Sequence, residues 1–209
     1  MLIERIRVGT LQSNTYIITD QDKTMIIDAG DDAQFIISKL SKENLHPQFI
    51  ISTHGHFDHN LAVYELILTY KAKFMINKND EFLLKQMKYS AKYFTGNNSV
   101  LSPQKIDRNL KNNDNIKVGN LKFNIIETPG HTPGSICLYE KKSKVLFTGD
   151  LIFKDGNIGR YDFSYSDKKC IMNSIRKILI LPDETTIYPG HGDPTSIGYE
   201  KIMLNELIN

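Results

Sequence analysis

The octapeptide Thr53-His54-Gly55-His56-Phe57-Asp58-His59-Asn60 sets four metal-ligating side chains within six residues, directly behind the apolar run Phe49 to Ser52. Neutral imidazole and carboxylate are donors that zinc, iron and manganese accept. A loop leaving a strand can aim alternate side chains into one cavity, so this H-x-H-x-D-H pattern calls for a strand that ends at an open edge. A His-rich surface turn, or a set of hydrogen-bonded core histidines, explains a single histidine better than it explains this cluster. Further ligand types sit far along the chain. His131 lies in Thr128-Pro129-Gly130-His131-Thr132-Pro133-Gly134-Ser135, Asp150 closes Phe147-Thr148-Gly149-Asp150, and His191 lies in Tyr188-Pro189-Gly190-His191-Gly192-Asp193. Each of these segments alone reads as a turn or a strand end, and their order carries the weight. His46 stands apart from all of them.

The 209 residues include 40% hydrophobic and 24% charged residues, which fits a packed core and excludes a disordered chain. Twenty-six Lys and Arg against 24 Asp and Glu are scattered without a basic stripe, so nucleic acid is not the expected partner. No leader-like or membrane-length apolar span is present, and two cysteines without a C-x-x-C pair suit a reducing, cytoplasmic setting.

The pattern along the chain is α/β. Strands are expected at 2–8, 15–19, 24–28, 49–52, 74–76, 116–118, 121–127, 135–139, 145–148 and 185–188. Helices are expected after the Asp31-Asp32 cap and ending before Pro47, over 60–70 and 79–94, after a Ser166 cap with Ile171, Ile175 and Ile178 inward, and from Ser196. The TGNNSVLSP stretch at 95–103 reads as a flap. No repeat or linker divides residues 1–209, so one domain with two packed sheets and outer helices is expected.

The ordered set H-x-H-x-D-H, His131, Asp150, His191 resembles the metallo-β-lactamase-fold hydrolase superfamily across nearly the whole chain. Through THGHFDH, TPGHTPGS, FTGD, NIGRYDF and YPGHG it is similar to the small glyoxalase-II-like hydrolases. The resemblance implies a four-layer αβ/βα sandwich of two mixed β-sheets with helices on the outer faces and a metal site at one edge. It implies two divalent ions, zinc first with iron or manganese as alternatives. His54, His56 and His131 would hold one ion, Asp58, His59 and His191 the other, and Asp150 would bridge them. Asp58 would also orient the nucleophilic hydroxide. Asp28 either orients a ligand or caps the turn at Ala29-Gly30, while Arg160 and Asp162 either pair structurally or meet the substrate. Phe57, Tyr161 and Phe163 either line the pocket or pack. Asn60-Leu61 stand where many members carry small residues, which bears on where the next helix starts.

The implied activity is hydrolysis of a small-molecule acyl thioester or ester, with S-lactoylglutathione-like compounds as the type substrate. Lactone or other ester hydrolysis, an iron-dependent persulfide dioxygenase and a zinc-stabilised binding protein are the competing functions. Asp150, where a cysteine would mark one class of β-lactamase, points away from that class. Glyoxalase II continues into a helical domain that holds glutathione, whereas this chain stops eighteen residues after His191. Limited discrimination between thiols is the expectation that follows.

Overall fold

The computed structural model describes residues 1–103 and 105–208. One sheet contains β1 (Leu2–Val8), β2 (Ser13–Asp20), β3 (Lys23–Ile27), β4 (Pro47–Ile51), β5 (Lys73–Ile76) and β6 (Arg108–Asn109), in that spatial order. The other runs from β7 (Asn115–Val118) through β8 (Leu121–Glu127), β9 (Ile136–Glu140), β10 (Val145–Gly149) and β11 (Thr186–Pro189) to β12 (Thr195–Ser196). Both are mixed: β3 to β6 pair in parallel, as do β10 and β11, and the remaining neighbours are antiparallel. The helices are α1 (Ala33–Lys42), α2 (Val63–Tyr70), α3 (Glu81–Thr95), α4 (Lys168–Leu179), α5 (Ile197–Met203) and α6 (Asn205–Ile208).

The period of two in the strands decides which layer each side chain enters. Ile17, Ile26, Ile50 and Phe74 face α1, α2 and α3, meeting Ile36, Leu40, Val63, Leu66 and Met87. Their strand neighbours Tyr16, Ile18, Met25, Ile27, Ile51 and Met75 face the other sheet, meeting Phe123, Ile125, Ile136, Leu138 and Phe147. On the far side, Cys137, Leu146 and Ile187 bury Ile171, Ile175 and Ile178 of α4 together with Ile197 of α5. Three apolar interfaces separate four layers, which is the αβ/βα sandwich. Among the described residues no helix is long and apolar enough to cross a membrane.

Several boundaries differ from the sequence pattern. Pro47 opens β4, at a strand's first position where its missing N–H is tolerated. Asp32 adopts a left-handed conformation (φ 52) without capping α1, and its carboxylate accepts from Gly9 N–H at 3.0 Å. The segment after the histidine cluster forms a 3₁₀ turn, Phe57–His59, so α2 begins only at Val63. Asp167, not Ser166, caps α4 by accepting from Cys170 N–H at 2.7 Å. The Ser166 hydroxyl donates instead to His131 O at 2.7 Å.

The ligand-bearing loops all leave strand ends at one edge of the sandwich, after β4, β8, β10 and β11. Polar links stitch the two sheets there. Ile136 N–H donates to Thr53 O (2.9 Å) and Asn14 N–H to Gly190 O (2.7 Å). The Tyr16 hydroxyl and the Asn14 amide both donate to Pro189 O, at 2.6 and 2.9 Å. Asp80, fully buried at the start of α3, accepts from Gly55 N–H (2.8 Å), the Thr132 hydroxyl (2.6 Å) and Gly134 N–H (2.6 Å). One carboxylate thereby joins the loop after β4 to the loop after β8. Burial pushes its carboxyl above the ordinary range, and the three donors act against that rise. Asp80→Ala strands all three donors, so a loss of about 3 kcal/mol is expected, lowering Tm by roughly 6–12 °C in a chain of this size. A thermal melt checks this, and a shift of less than about 2 °C would show that the clamp contributes little.

Candidate metal centre

At the open edge, seven side-chain donors converge. His54 Nε2 and His131 Nε2 lie 3.1 and 3.0 Å from His56 Nδ1. Beside them, His191 Nε2 lies 3.2 Å from Asp58 Oδ2 and 3.3 Å from His59 Nε2, with 3.5 Å between His59 and Asp58. Asp150 sits between the two sets: Oδ1 is 3.5 Å from His59 Nε2, and Oδ2 is 3.6 Å from His131 and 3.7 Å from His191. With bonds of about 2.05 Å, neighbouring donors in a tetrahedral sphere stand about 3.3 Å apart, so both sets have the spacing of ligands around a shared cation. Asp150 Oδ1 is buried without a hydrogen-bond partner, a costly condition that a cation would relieve. Histidine triads and carboxylates of this kind could hold metal ions.

Four of the five imidazoles are turned by their other nitrogen. His59 Nδ1 meets Asp28 Oδ2 at 3.1 Å, His131 Nδ1 meets Arg160 O at 2.7 Å, and His54 Nδ1 meets the Thr53 hydroxyl at 3.0 Å. His56 Nε2 meets the Tyr165 hydroxyl at 2.8 Å. Such partners fix ring orientation and aim the free nitrogen of each ring at the centre. Asp28 therefore orients a histidine; it also accepts from Thr53 N–H (2.7 Å) and the Thr53 hydroxyl (2.8 Å). Asn60, fully buried, donates to His54 O and His56 O at 3.0 and 2.7 Å, which shapes the cluster loop and explains why a polar residue follows it. Gly190 is required by close approach, since a Cβ there would lie 2.1 Å from Asp150 Oδ1 and 2.8 Å from His59 Cε1.

The two donor sets differ in charge. Burial, helped by His131, pulls His56 down to about 3, and burial with the neighbouring imidazoles holds His54 well below the ordinary range. Both are neutral at pH 7. Burial also resists charge on His59, but Asp58, Asp150 and the Asp28 hydrogen bond outweigh it and push His59 up to about 10. Asp58, despite its burial, is held below the usual carboxylate range by His59 and His191. His191 is raised, Asp150 and Asp58 overcoming burial.

The centre forms the floor of a cleft of about 370 Å³. Phe57 and Phe163 line it together with Leu11, Phe94, Phe153 and Ile158. Arg160 also lines it, with Nε and Nη2 both donating to Asp162 at 2.9 Å and its guanidinium 4.5 Å above the Phe163 ring. Tyr161 is 38% exposed with Lys168 over its ring, and the tyrosine that lines the cleft is Tyr165, stacked on Phe163 at 5.3 Å. Sequence reasoning passed over Tyr165, Asp80 and Phe94. An aspartate before a helix reads as an ordinary cap, and an aromatic inside a helical pattern reads as core.

A family model described as the metallo-beta-lactamase superfamily matches residues 8–191. The hydroxyacylglutathione hydrolase GloC of Haemophilus influenzae is 37% identical over 206 residues, covering 96% of this chain and 95% of the relative. Among solved structures, the BLEG-1 B3 metallo-β-lactamase is 33% identical with a TM-score of 0.90 over 100% of both chains. TTHA1623 in a di-iron-bound form is 30% identical with a TM-score of 0.88, over 96% of this chain and 98% of that one. Because the matched span encloses all seven converging donors within a sandwich of the same shape, the chain belongs to the metallo-β-lactamase superfamily.

Proposed function

We propose that the chain is a dinuclear-metal hydrolase that cleaves small-molecule acyl thioesters in the manner of glyoxalase II. The observation that carries the reading is Asp150, whose two oxygens reach both donor sets while Oδ1 has no other partner. His54, His56 and His131 would hold one ion and Asp58, His59 and His191 the other, with Asp150 shared between the two sets. Zinc suits these donors, and the di-iron-bound neighbour supports iron as the alternative. When bound, such ions would lower the pKa of water from 15.7 toward about 7, so that hydroxide is available at neutral pH, and would polarise a substrate oxygen.

The chain's own residues do the rest. Asp58, ionised at neutral pH, accepts a hydrogen bond from the nucleophile and fixes its direction. Phe57, Phe163 and their apolar neighbours exclude water around the acyl group. The phenol in the wall, Tyr165, is pushed by burial up to about 12 and is already committed to His56, so it is a poor proton donor. A wall whose phenol is so poor an acid suits a leaving group that needs none, and a thiolate with a pKa near 8.5 meets that condition better than an alkoxide. The similarity to a hydroxyacylglutathione hydrolase supports the same choice, while the likeness to a B3 β-lactamase makes β-lactams the necessary comparison.

The saturated protein should carry two ions per chain by elemental analysis and should turn over thioesters faster than lactones or β-lactams of similar size. One ion at saturation, or a β-lactam as the best substrate, would defeat the reading. His56→Ala and Asp58→Ala should each lower kcat by at least about 10³-fold with the fold retained by circular dichroism, because neither residue contributes to the apolar interfaces.

Proton release separates the two donor sets. With His59 raised to about 10, the metal-free protein at pH 7 carries a proton on that ring, which must leave before Nε2 can bind. His54 and His56 are already neutral. Filling the stripped protein in weak buffer should therefore release one proton or more per chain, with the Asp58–His59–His191 set losing affinity first as pH falls. An indicator-dye titration measures this, and filling both sites without proton release would contradict the charge assignment.

A further inference from the structure

We propose that the outer face of α3 is a binding site for a nucleoside phosphate, and that the thiol half of the preferred thioester carries one. This rests on the thioesterase reading and names the substrate class of the same cleft. Lys85, Lys88, Tyr89, Lys92 and Tyr93 recur at helical spacing and form one exposed stripe along α3. Tyr89 is 76% exposed and Tyr93 83%, an unusual investment of aromatic surface in water. Lys85 is paired with Glu81 at 2.9 Å, whereas among the described residues Lys88 and Lys92 form no ion pair.

The stripe reaches the cleft at its Tyr93 edge. Ser90 and Phe94 of the same helix line the cleft wall. The Phe94 ring stacks on Phe57 at 5.9 Å and 12°, and Tyr93 meets Phe94 edge-on at 4.9 Å. Phe57 stands between His56 and Asp58, so three rings step from the donor loop to the surface. Among the described residues lining the cleft, Arg160 is the one lysine or arginine, already held by Asp162 through two hydrogen bonds. An anionic thiol half therefore finds no free cation beside the reacting carbon, but it finds two at the helix face.

Ligand chemistry follows from the residue types. Lysines act as point charges for phosphate, and an exposed tyrosine ring stacks on any nucleobase. Two free ammonium groups match the phosphates of a single nucleotide and fall short of the six to ten contacts typical of a duplex-binding surface. A flexible arm running from the nucleotide along Phe94 would deliver the acyl–sulfur bond to the donor floor.

The test compares kcat/KM of the metal-loaded wild type on butyryl-coenzyme A, butyryl-pantetheine, which shares the arm but lacks the nucleotide, and butyryl-glutathione. A preference for the coenzyme A ester over the pantetheine ester of tenfold or more, carried in KM, is expected. That ratio should fall toward one in Lys88→Glu/Lys92→Glu, in Tyr93→Ala and in high salt. Adenosine 3′,5′-bisphosphate should quench tyrosine fluorescence in the wild type and not in these variants, a readout independent of turnover in a chain with no tryptophan. Cleavage of the pantetheine and glutathione esters with a coenzyme A preference below threefold would overturn the nucleotide site and leave the thioesterase reading standing. Quenching by the bisphosphate without cleavage of any thioester would instead defeat the thioesterase reading and keep the site. Absence of both, or a dimer that buries α3, would remove the site.

Discussion

The Asp28 carboxylate is the contact on which the geometry of the centre depends. It sits 1% exposed on a residue in the left-handed region (φ 54), where β3 has ended, and takes three donors from the loop after β4: Thr53 N–H, the Thr53 hydroxyl and His59 Nδ1. Burying a carboxylate is expensive unless every lone pair is engaged, so the penalty for losing any one donor is steep and the loop has one arrangement. Asp80 repeats the device between the loops after β4 and β8. Two buried acids thus hold the histidine loop from opposite sides. The apolar interfaces bring the sheets together, but it is these carboxylates that convert a loop of mixed turns into a rigid floor.

That division explains how much could be read from sequence. The ligands were legible because their chemistry is concentrated in short segments, each following an apolar strand pattern; the recurrence of strands and helices in both halves pointed to two packed sheets with outer helices, and the four-layer order came through the family resemblance. The supporting groups were not. Asp80 lies 52 residues from Thr132, and nothing local distinguishes it from a helix cap. Tyr165 reaches His56 across 109 residues, so the tyrosine next to Arg160 in sequence drew attention that belonged to one four positions on. The α4 cap shows the same limit at short range. Ser166 and Asp167 are both good caps, and the choice fell to Asp167 because the Ser166 hydroxyl is drawn away to His131 O.

The electrostatic contrast between the donor sets has its origin in this scaffold. His54 and His56 are buried among other imidazoles, with their outer nitrogens on neutral hydroxyls, and burial keeps them uncharged. His59 is as deeply buried, yet three carboxylates, Asp28, Asp58 and Asp150, surround it and reverse the outcome. Identical side chains five and three residues apart therefore present different charge. Asp58 is the largest of these carboxylate influences, ahead of Asp150 and Asp28. A centre built this way has an inherent direction, with a half of paired charges toward His191 and a neutral half toward His56 and the aromatic wall.

The direction matters for how a substrate could sit. An acyl group placed against Phe163 and Tyr165 lies beside the neutral half, while the path along Phe57 and Phe94 leads outward past Asp58 to α3. The floor tolerates little change: Gly190 is packed to within 2.1 Å of Asp150 at the position a Cβ would take, and Asn60 spends its amide on two loop carbonyls. The walls come from α3 and the 151–165 segment, the latter meeting the donor histidines through Arg160 O and the Tyr165 hydroxyl. Donor geometry is thus set by strand ends and buried acids, whereas Tyr93 and Phe94 of α3 stand at the rim and reach the donor loop through Phe57. On the thioesterase reading, exchange of these rim side chains would alter selectivity between thiol halves while leaving the seven donors in place.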